Sequence, residues 1–411
     1  MRNASSTHTV QHSRGAIGTD LAAGRLVGGI VVAVLFMGST LLTPLYDLYR
    51  AAYDLSVLEL GLLYAVYVVG NLIALLFLGR LSDQVGRRPV VLASIALAGI
   101  STLLFLFANG PAWLFIARVV NGLAVGVGSG AATAWIAEFT PEEKRAGAAS
   151  VMTAFNFTGL ALGTMLAGLL VEYEPHPLRL PFVVYLGLIA ALAIAAGRTR
   201  ETLPSGEQSR FHLKPRIGVP SDVRLRFLAP AAAGFAAMSM VGFYAALGPT
   251  TLHDALHLTN RALSGTVVSE LFVIAALSIV ATRSLPARTT MMIGLVTIPM
   301  GVALLVAAQR VSSLALMLLS STVCGLSAAL GYRGGLAVVN TLAPPERRAE
   351  VASSYFVCCF LGNALPIIGV AALSQTLGTK VASTIFAGVL SIISIGALAV
   401  AVSIGGGERH T

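Results

Sequence analysis

The sequence predicts an all-α membrane protein in which twelve transmembrane helices form two pseudo-symmetric six-helix bundles. Three observations lead there. Only 11% of the 411 residues are charged and 56% are hydrophobic, whereas soluble proteins carry roughly 25% charged residues. Twelve apolar runs of membrane-crossing length follow one another along the chain. The segment "PEEKRAGAAS" beginning at Pro141 also returns as "PPERRAEVAS" beginning at Pro344, an offset of 203 residues.

The runs begin near Leu26, Leu60, Pro89, Ala112, Ala146, Leu180, Phe227, Ala262, Thr289, Ser312, Val351 and Val381. About 20 helical residues cross a ~30 Å hydrocarbon layer. In lipid the backbone must satisfy its own polar groups, which leaves helices or closed barrels, and these runs lack the period of barrel strands. Residues 1–25 are polar, lack the apolar core of a secretory signal and read as an irregular cytoplasmic tail. Six spans fill residues 26–197. The stretch "GRTRETLPSGEQSRFHLKPRIGVPSDVRLR", Gly197 to Arg226, is polar, arginine-rich and broken by prolines. It reads as a cytoplasmic linker over 198–226. Six further spans occupy 227–404, and 405–411 form a short cytoplasmic tail. At the offset of 203, Gly122 meets Gly325 and Gly159 meets Gly362, while Pro44 meets Pro249 at 205. Weak internal symmetry of this kind marks a repeat transporter whose site lies between the halves.

The net charge of +9 does not point to nucleic acid, because its distribution follows membrane topology. With the N-terminus in the cytoplasm, 20 of the 27 Lys and Arg fall in inside segments. Arg50, Arg179, Arg261, Arg310 and Lys380 fall outside, and Arg118 and Arg333 lie within spans. This bias places both termini in the cytoplasm, in a cell inner membrane whose bilayer is the chain's solvent. Cys324, Cys358 and Cys359 all lie in spans and read as small packing residues, with no disulfide or metal spacing. Neither a phosphate-binding Gly-x-x-x-x-Gly-Lys-Ser/Thr loop nor an activated nucleophile is present. The reading is therefore a carrier, with no catalytic residues, no cofactor and no metal, acting as a monomer.

Charge is concentrated in "GRLSDQVGRRPVV", Gly79 to Val91, between the second and third runs. Gly79 allows close helix approach, Gly86 permits a turn costly to other residues, and the arginines hold the hairpin on the cytoplasmic side. Gly79, Leu81, Asp83, Gly86, Arg87 and Arg88 match, in order and spacing, the loop signature of the major facilitator superfamily, which the chain resembles. Arg118 and Gly122 in the fourth run look like that family's second motif. The twelve-span plan and half-repeat extend the resemblance over nearly the whole chain. It implies the major facilitator fold and, among its branches, the twelve-span drug:proton antiporters. It further implies that Asp83 meets the positive N-terminal end of span eleven near Glu350 to Ser353, while Arg87 meets an acid ending span four, here Glu138. Together these form a latch that closes the cytoplasmic side when the cavity faces outward.

The chain departs from the drug exporters in span five, where Thr164 stands in place of their motif proline. Gly159 and Gly163 still make a small-residue ridge there, as Gly122 and Gly126 do in span four. Ionisable groups inside spans are costly and are functional candidates. Arg118 either lines the cavity or serves as a hydrogen-bond hub between spans one and four. Arg333 either snorkels to the cytoplasmic surface or lines the inward cavity. Glu270, about 12 Å deep from the outer side, is the expected proton site, beside Tyr67 and across from Arg118. Asp47 is the second candidate, as an entry-side acid or a solvated residue at the membrane edge. Tyr67, Asn71, Asn156, Phe243, Tyr244, Tyr332, Tyr355 and Asn363 complete the expected cavity for an amphipathic organic substrate.

The expected activity is alternating-access, proton-coupled efflux of small amphipathic or drug-like molecules, the chemistry of multidrug resistance. The alternatives are an organic-anion or metabolite carrier and, in a different class, a membrane sensor that binds without transporting. The topology makes a direct prediction. Cysteines placed at Ala52 or His176 react with an impermeant thiol reagent in intact cells, and one at Ser209 does not. Labelling at Ser209 alone would invert the orientation.

Overall fold

A computed structural model describes residues 5–141, 145–203 and 217–407, with side chains over 21–141, 150–203 and 217–403. Ser209 and linker residues 204–216 lie outside the described residues, as do residues 142–144 of the first repeat segment and the last four residues of the C-terminal tail. Twelve helices are long and apolar enough to cross a membrane: Leu21–Tyr53, Val57–Leu78, Arg87–Leu106, Pro111–Glu138, Ser150–Tyr173, Leu180–Arg198, Arg224–Leu256, Arg261–Ala281, Ala287–Val311, Leu314–Leu342, Pro345–Leu377 and Thr379–Ser403. We refer to them as spans one to twelve. The helix of span one begins at Ser5, so the tail expected to be irregular is helical over most of its length. Extending an existing helix adds a hydrogen bond per residue without a new nucleation cost.

The span starts follow from local chemistry. Ser56 and Glu59 make a reciprocal capping box at span two, and Asn260 and Ser313 accept from the third N–H of spans eight and ten. Each such cap is worth about 1 kcal/mol. Pro44 interrupts span one: the helix stops at Thr40 and resumes at Tyr46 after a short turn of 3-10 helix, Thr43–Leu45. The break leaves carbonyls of the preceding turn without helical partners.

Small residues set the distances between helices. A side-chain carbon at Gly122 would stand 2.1 Å from the Tyr67 carbonyl oxygen of span two, and one at Gly126 would meet Ala74 at 2.5 Å. Gly159 and Gly163 face the span-one carbonyls of Ala33 and Met37 at 2.1 and 2.3 Å in the same construction. The second half repeats this plan. Gly325 abuts the Leu271 carbonyl of span eight, and Gly362 the Phe235 carbonyl of span seven. The sequence repeat is therefore a repeat of close backbone contacts, two six-helix bundles built on one packing scheme.

The halves meet along spans two with eleven and five with eight. Gly168 and Gly265 cross backbone to backbone, with a carbon added at either standing about 3.0 Å from the other's Cα. Nearby, Ser269 donates to the Ala161 carbonyl at 3.0 Å. Glu172 ending span five accepts from Arg261 N at 2.9 Å and Asn260 at 3.3 Å, at the start of span eight. A carboxylate there complements the positive helix end. Thr250 of span seven reaches Asp47 of span one at 3.3 Å. These bonds draw the outer ends of the halves together.

Gly122→Ala should lower stability by about 1–3 kcal/mol, because the added carbon forces a backbone shift. Gly130 on the same helix has open space around it, and its alanine variant should be neutral or more stable by up to ~1 kcal/mol. Thermal unfolding of the detergent-purified proteins compares the two, and equal melting points would contradict the packing argument.

Candidate functional site

Arg118 is fully buried in span four. Its Nη1 donates to the Ser39 carbonyl at 2.7 Å, and its Nη2 to the Tyr46 hydroxyl. These partners flank the break in span one, so the guanidinium satisfies a carbonyl that the interruption released. The rings of Tyr46, Tyr64 and Tyr67 each stand 5.8 Å from its central carbon, within cation–π range. Of the two roles open to Arg118, the structure displays the hub between spans one and four.

A central cavity of about 90 Å³ lies in front of these tyrosines, between the halves. Spans one, two and five contribute Phe36, Ser39, Thr40, Tyr64, Tyr67, Asn156, Phe157 and Leu160. Spans seven, eight, ten and eleven contribute Met238, Val241, Ala245, Phe272, Tyr332, Phe356, Cys359, Phe360 and Asn363. Its open space holds about three waters at ~30 Å³ each, so a substrate needs a wider arrangement of the halves.

Of the residues expected at the cavity, Tyr67, Asn156, Tyr332 and Asn363 line this space. Arg118 stands behind the cavity wall. Arg333 also does not line it: its guanidinium bonds the Ile279 and Thr282 carbonyls and the Thr282 hydroxyl at 2.9–3.1 Å, capping the cytoplasmic end of span eight. A long cation beside unsatisfied C-terminal carbonyls has that partner in reach. Asn71 is turned toward span four, beneath Gly126, with its amide on the Tyr67 carbonyl at 3.3 Å. Phe243 stacks on Phe386 of span twelve at 4.9 Å. Tyr244 shares a hydrogen bond with Ser320 at 2.8 Å, and Tyr355 donates to the Tyr332 carbonyl at 2.6 Å. These four side chains pack helices within a half. Cys324 and Cys359 are buried, and Cys359 also contributes to the cavity wall.

Glu270 is not beside Tyr67, nor across from Arg118. Its carboxylate accepts from Ser321 at 2.5 Å and Thr322 at 2.7 Å, both of span ten. The offset of 203 relates equivalent positions in two halves, not neighbours in space. Tyr67 and Glu270 correspond, as do their span-four and span-ten partners Arg118 and Ser321. Asp47 lies at an outer vestibule of about 660 Å³ with Arg50, Asp54, His253 and Arg261.

At the hairpin between spans two and three, Arg87 bonds Glu138 through Nε at 3.0 Å and Nη2 at 2.9 Å, Ser82 at 2.8 Å, and Asp83. Asp83 therefore pairs within its own hairpin, and among the described residues it makes no bond to span eleven. The halves are joined by hydrogen bonds at their outer ends, and the start of span eleven instead carries linker residue Gly218, whose N–H donates to Ser354 at 3.0 Å. Gly86 has φ of +110°, a conformation suited to glycine, and it has no side chain to cap span three. Glu201 supplies the cap from the linker. Its two carboxylate oxygens accept from Arg87 N at 3.0 Å and Arg88 N at 2.9 Å. A side chain at Gly86 would collide with that carboxylate, at 2.8 Å. Thr202 donates to Glu138, tying the linker to span four.

The sequence matches the family model described as Major Facilitator Superfamily over residues 28–365. The chain belongs to the major facilitator superfamily. Quinolone resistance protein NorA of Staphylococcus aureus is 26% identical over 159 residues, 39% of this chain and 41% of that protein. Tetracycline resistance protein, class H, of Pasteurella multocida is 33% identical over 123 residues, 30% of each chain. The matched part thus spans less than half the length of either relative. A bacterial homolog of the human lysosomal transporter Spinster, solved inward-facing, superposes with TM-scores of 0.67 unoccupied and 0.72 occupied. Identity is 15% and 14%, with 93% and 92% of this chain and 95% and 96% of those chains covered. That likeness is one of fold.

This superfamily member has site features that the sequence does not single out, Tyr64 and Glu201 among them. Tyr64 joins the wall because it sits three residues before Tyr67, on the same helical face. Glu201 had a faint signal as an acid beside Arg198 and Arg200 directly after span six. Burial alone would push the Glu201 carboxyl up, but the N–H groups of Leu203, Arg87, Arg88 and Thr202 outweigh it and hold it below the ordinary 4.5. A depressed folded-state value stabilises above the unfolded value and is lost as pH falls through the folded one. Glu201→Gln should therefore cost about 1 kcal/mol at pH 7. The gap to wild type should close once the pH drops below the ordinary glutamate range. A melting-point difference that stays constant from pH 7 to pH 3 would contradict the cap.

Proposed function

We propose that this superfamily member exports small amphipathic, drug-like molecules in exchange for protons. It works by alternating access as a monomer in the cell's inner membrane, with both termini in the cytoplasm. The observation that carries the reading is the aromatic cavity between the halves, beneath the outer contacts of Gly168 with Gly265 and Ser269 with Ala161. A pocket bounded by both halves changes shape when they rock, and that couples binding to access. The similarity to a quinolone and a tetracycline resistance protein supports a drug-like substrate class. The units that rock are residues 26–197 and 227–404, joined by the linker.

Glu270 is the proton site in this reading, with Asp47 second. Its carboxyl group accepts from Ser321 and Thr322, so a proton exchanged there acts on the contact between span eight and span ten. Asp83 acts in the opposite state. When the outer ends part, the hairpin of Gly79, Asp83, Gly86, Arg87 and Arg88 closes on the start of span eleven, a charge–dipole contact worth about 0.3–2 kcal/mol. Arg87 and Glu138 keep the hairpin in shape for that approach.

Flux into proteoliposomes with and without a pH gradient tests the reading, using a substrate found by a thermal-shift screen. Wild type should accumulate substrate against its gradient and move protons the other way. Glu270→Gln should keep substrate-for-substrate exchange and lose dependence on the pH gradient. Asp83→Asn should fold normally and slow flux a few-fold. Gradient-driven accumulation at wild-type rate in Glu270→Gln would move the proton site elsewhere. Binding without flux in either direction would make the protein a sensor.

A further inference from the structure

Resting on the reading of the central cavity as the substrate site, we infer that its substrates are uncharged aromatic molecules bearing an O–H or N–H donor. Three observations on the cavity wall carry this.

The first is what the wall lacks. Among the described residues lining the cavity, none is Asp, Glu, Lys or Arg. A charge entering this space would shed its water for rings, methyl groups, hydroxyls and amides, and an unpaired buried ion is costly. Aromatic rings fit instead, because Tyr64, Tyr67, Phe157, Phe272, Phe356 and Phe360 present faces and edges from four spans.

The second is the place of Arg118. Aromatic boxes ordinarily attract cations through the negative faces of the rings. Here the guanidinium already occupies that role for Tyr64 and Tyr67, at 5.8 Å from both rings, and no carboxylate is bonded to it. The positive charge directly behind these rings opposes a cationic guest. Nor does it face an anion in the cavity: the guanidinium is fully buried behind the rings, with Nη1 on Ser39, Nη2 on Tyr46 and an unpaired Nε that does not line the space.

The third is a pair of acceptors without donors. Asn363 is 7% exposed. Its Nδ2 lies 3.5 Å from the Met238 carbonyl and its amide also meets the Tyr64 hydroxyl of the other half, while its Oδ1 has no partner among the described residues. The Oδ1 of Asn156 is likewise buried and unpaired, on the opposite half. Both residues line the cavity. A buried carbonyl oxygen without a donor is costly, and a guest O–H or N–H would remove that cost.

Equilibrium dialysis of the full chain in nanodiscs, against empty nanodiscs, tests this with four naphthalenes of one shape. They are 1-naphthol, 1-methoxynaphthalene, N,N,N-trimethyl-1-naphthylammonium and naphthalene-1-sulfonate. The expected result is protein-dependent binding of 1-naphthol, about tenfold weaker binding of the methoxy compound, and no protein-dependent binding of either ion. Asn363→Leu should weaken 1-naphthol to the level of the methoxy compound. Asn156→Leu provides the same comparison should Asn363→Leu not fold. Binding of either ion as tight as that of 1-naphthol, equal binding of naphthol and its methyl ether, or no binding of 1-naphthol would each overturn the inference. Proton-linked flux of some other compound in the same preparation would leave the carrier reading intact, so the two fail separately.

Discussion

A positive charge buried at the middle of a membrane protein must be satisfied by the protein itself, and Arg118 is where that constraint acts. Lipid offers it no water, and among the described residues no acid is bonded to it and its Nε has no partner. It takes a carbonyl from the broken turn of span one, a tyrosine hydroxyl beyond the break, and three ring faces. Pro44 makes the break, the break frees the carbonyl, and the carbonyl fixes the guanidinium. Two of these tyrosines, Tyr64 and Tyr67, also form part of the cavity wall. Removing the arginine would therefore leave an uncapped break and a collapsed wall together.

The second half answers the same packing problem with different chemistry. Where span four places Arg118, span ten places Ser321, and where span two places Tyr67, span eight places Glu270. One half holds a cation under phenol rings; the other holds a carboxylate between two hydroxyls. The glycine contacts of Gly122 with Tyr67 and of Gly325 with Leu271 keep the helix pairs equally close in both. Duplication thus preserved the backbone geometry, while the polar contents diverged enough to let the halves differ in charge.

The cytoplasmic hairpin and the linker form one unit around Arg87. Glu201 caps span three in place of the glycine that cannot, Thr202 binds Glu138, and Arg87 binds Glu138, Ser82 and Asp83. At the linker's other described end, Gly218 is bonded to Ser354 at the start of span eleven. The linker is therefore anchored to both halves at its own end of the bundle, whereas Glu172 with the start of span eight and Thr250 with Asp47 join the halves at the opposite end. Any motion that closes the cytoplasmic face must carry these anchors with it.

The sequence by itself determined the twelve spans, the family and the positions of the close helix crossings. These follow from local chemistry: the length of an apolar run, the spacing of small residues on one helical face, and a short motif with a required turn at Gly86. Tyr67, Asn156, Tyr332 and Asn363 were also legible as wall residues, since a polar group in a span must face protein. Only the tertiary structure decided which polar groups meet. Helix rotation about its own axis turns Asn71, Phe243, Tyr244 and Tyr355 into their own bundles, and Arg333 finds a helix end rather than the cavity. Glu270 binds span ten because the repeat relates it to Tyr67 by symmetry rather than by contact, and a linear offset does not distinguish the two. Glu201 was hidden for a similar reason: the partners that make it a cap, the backbone N–H groups of Arg87 and Arg88, are more than a hundred residues away, and backbone groups leave no mark in a sequence.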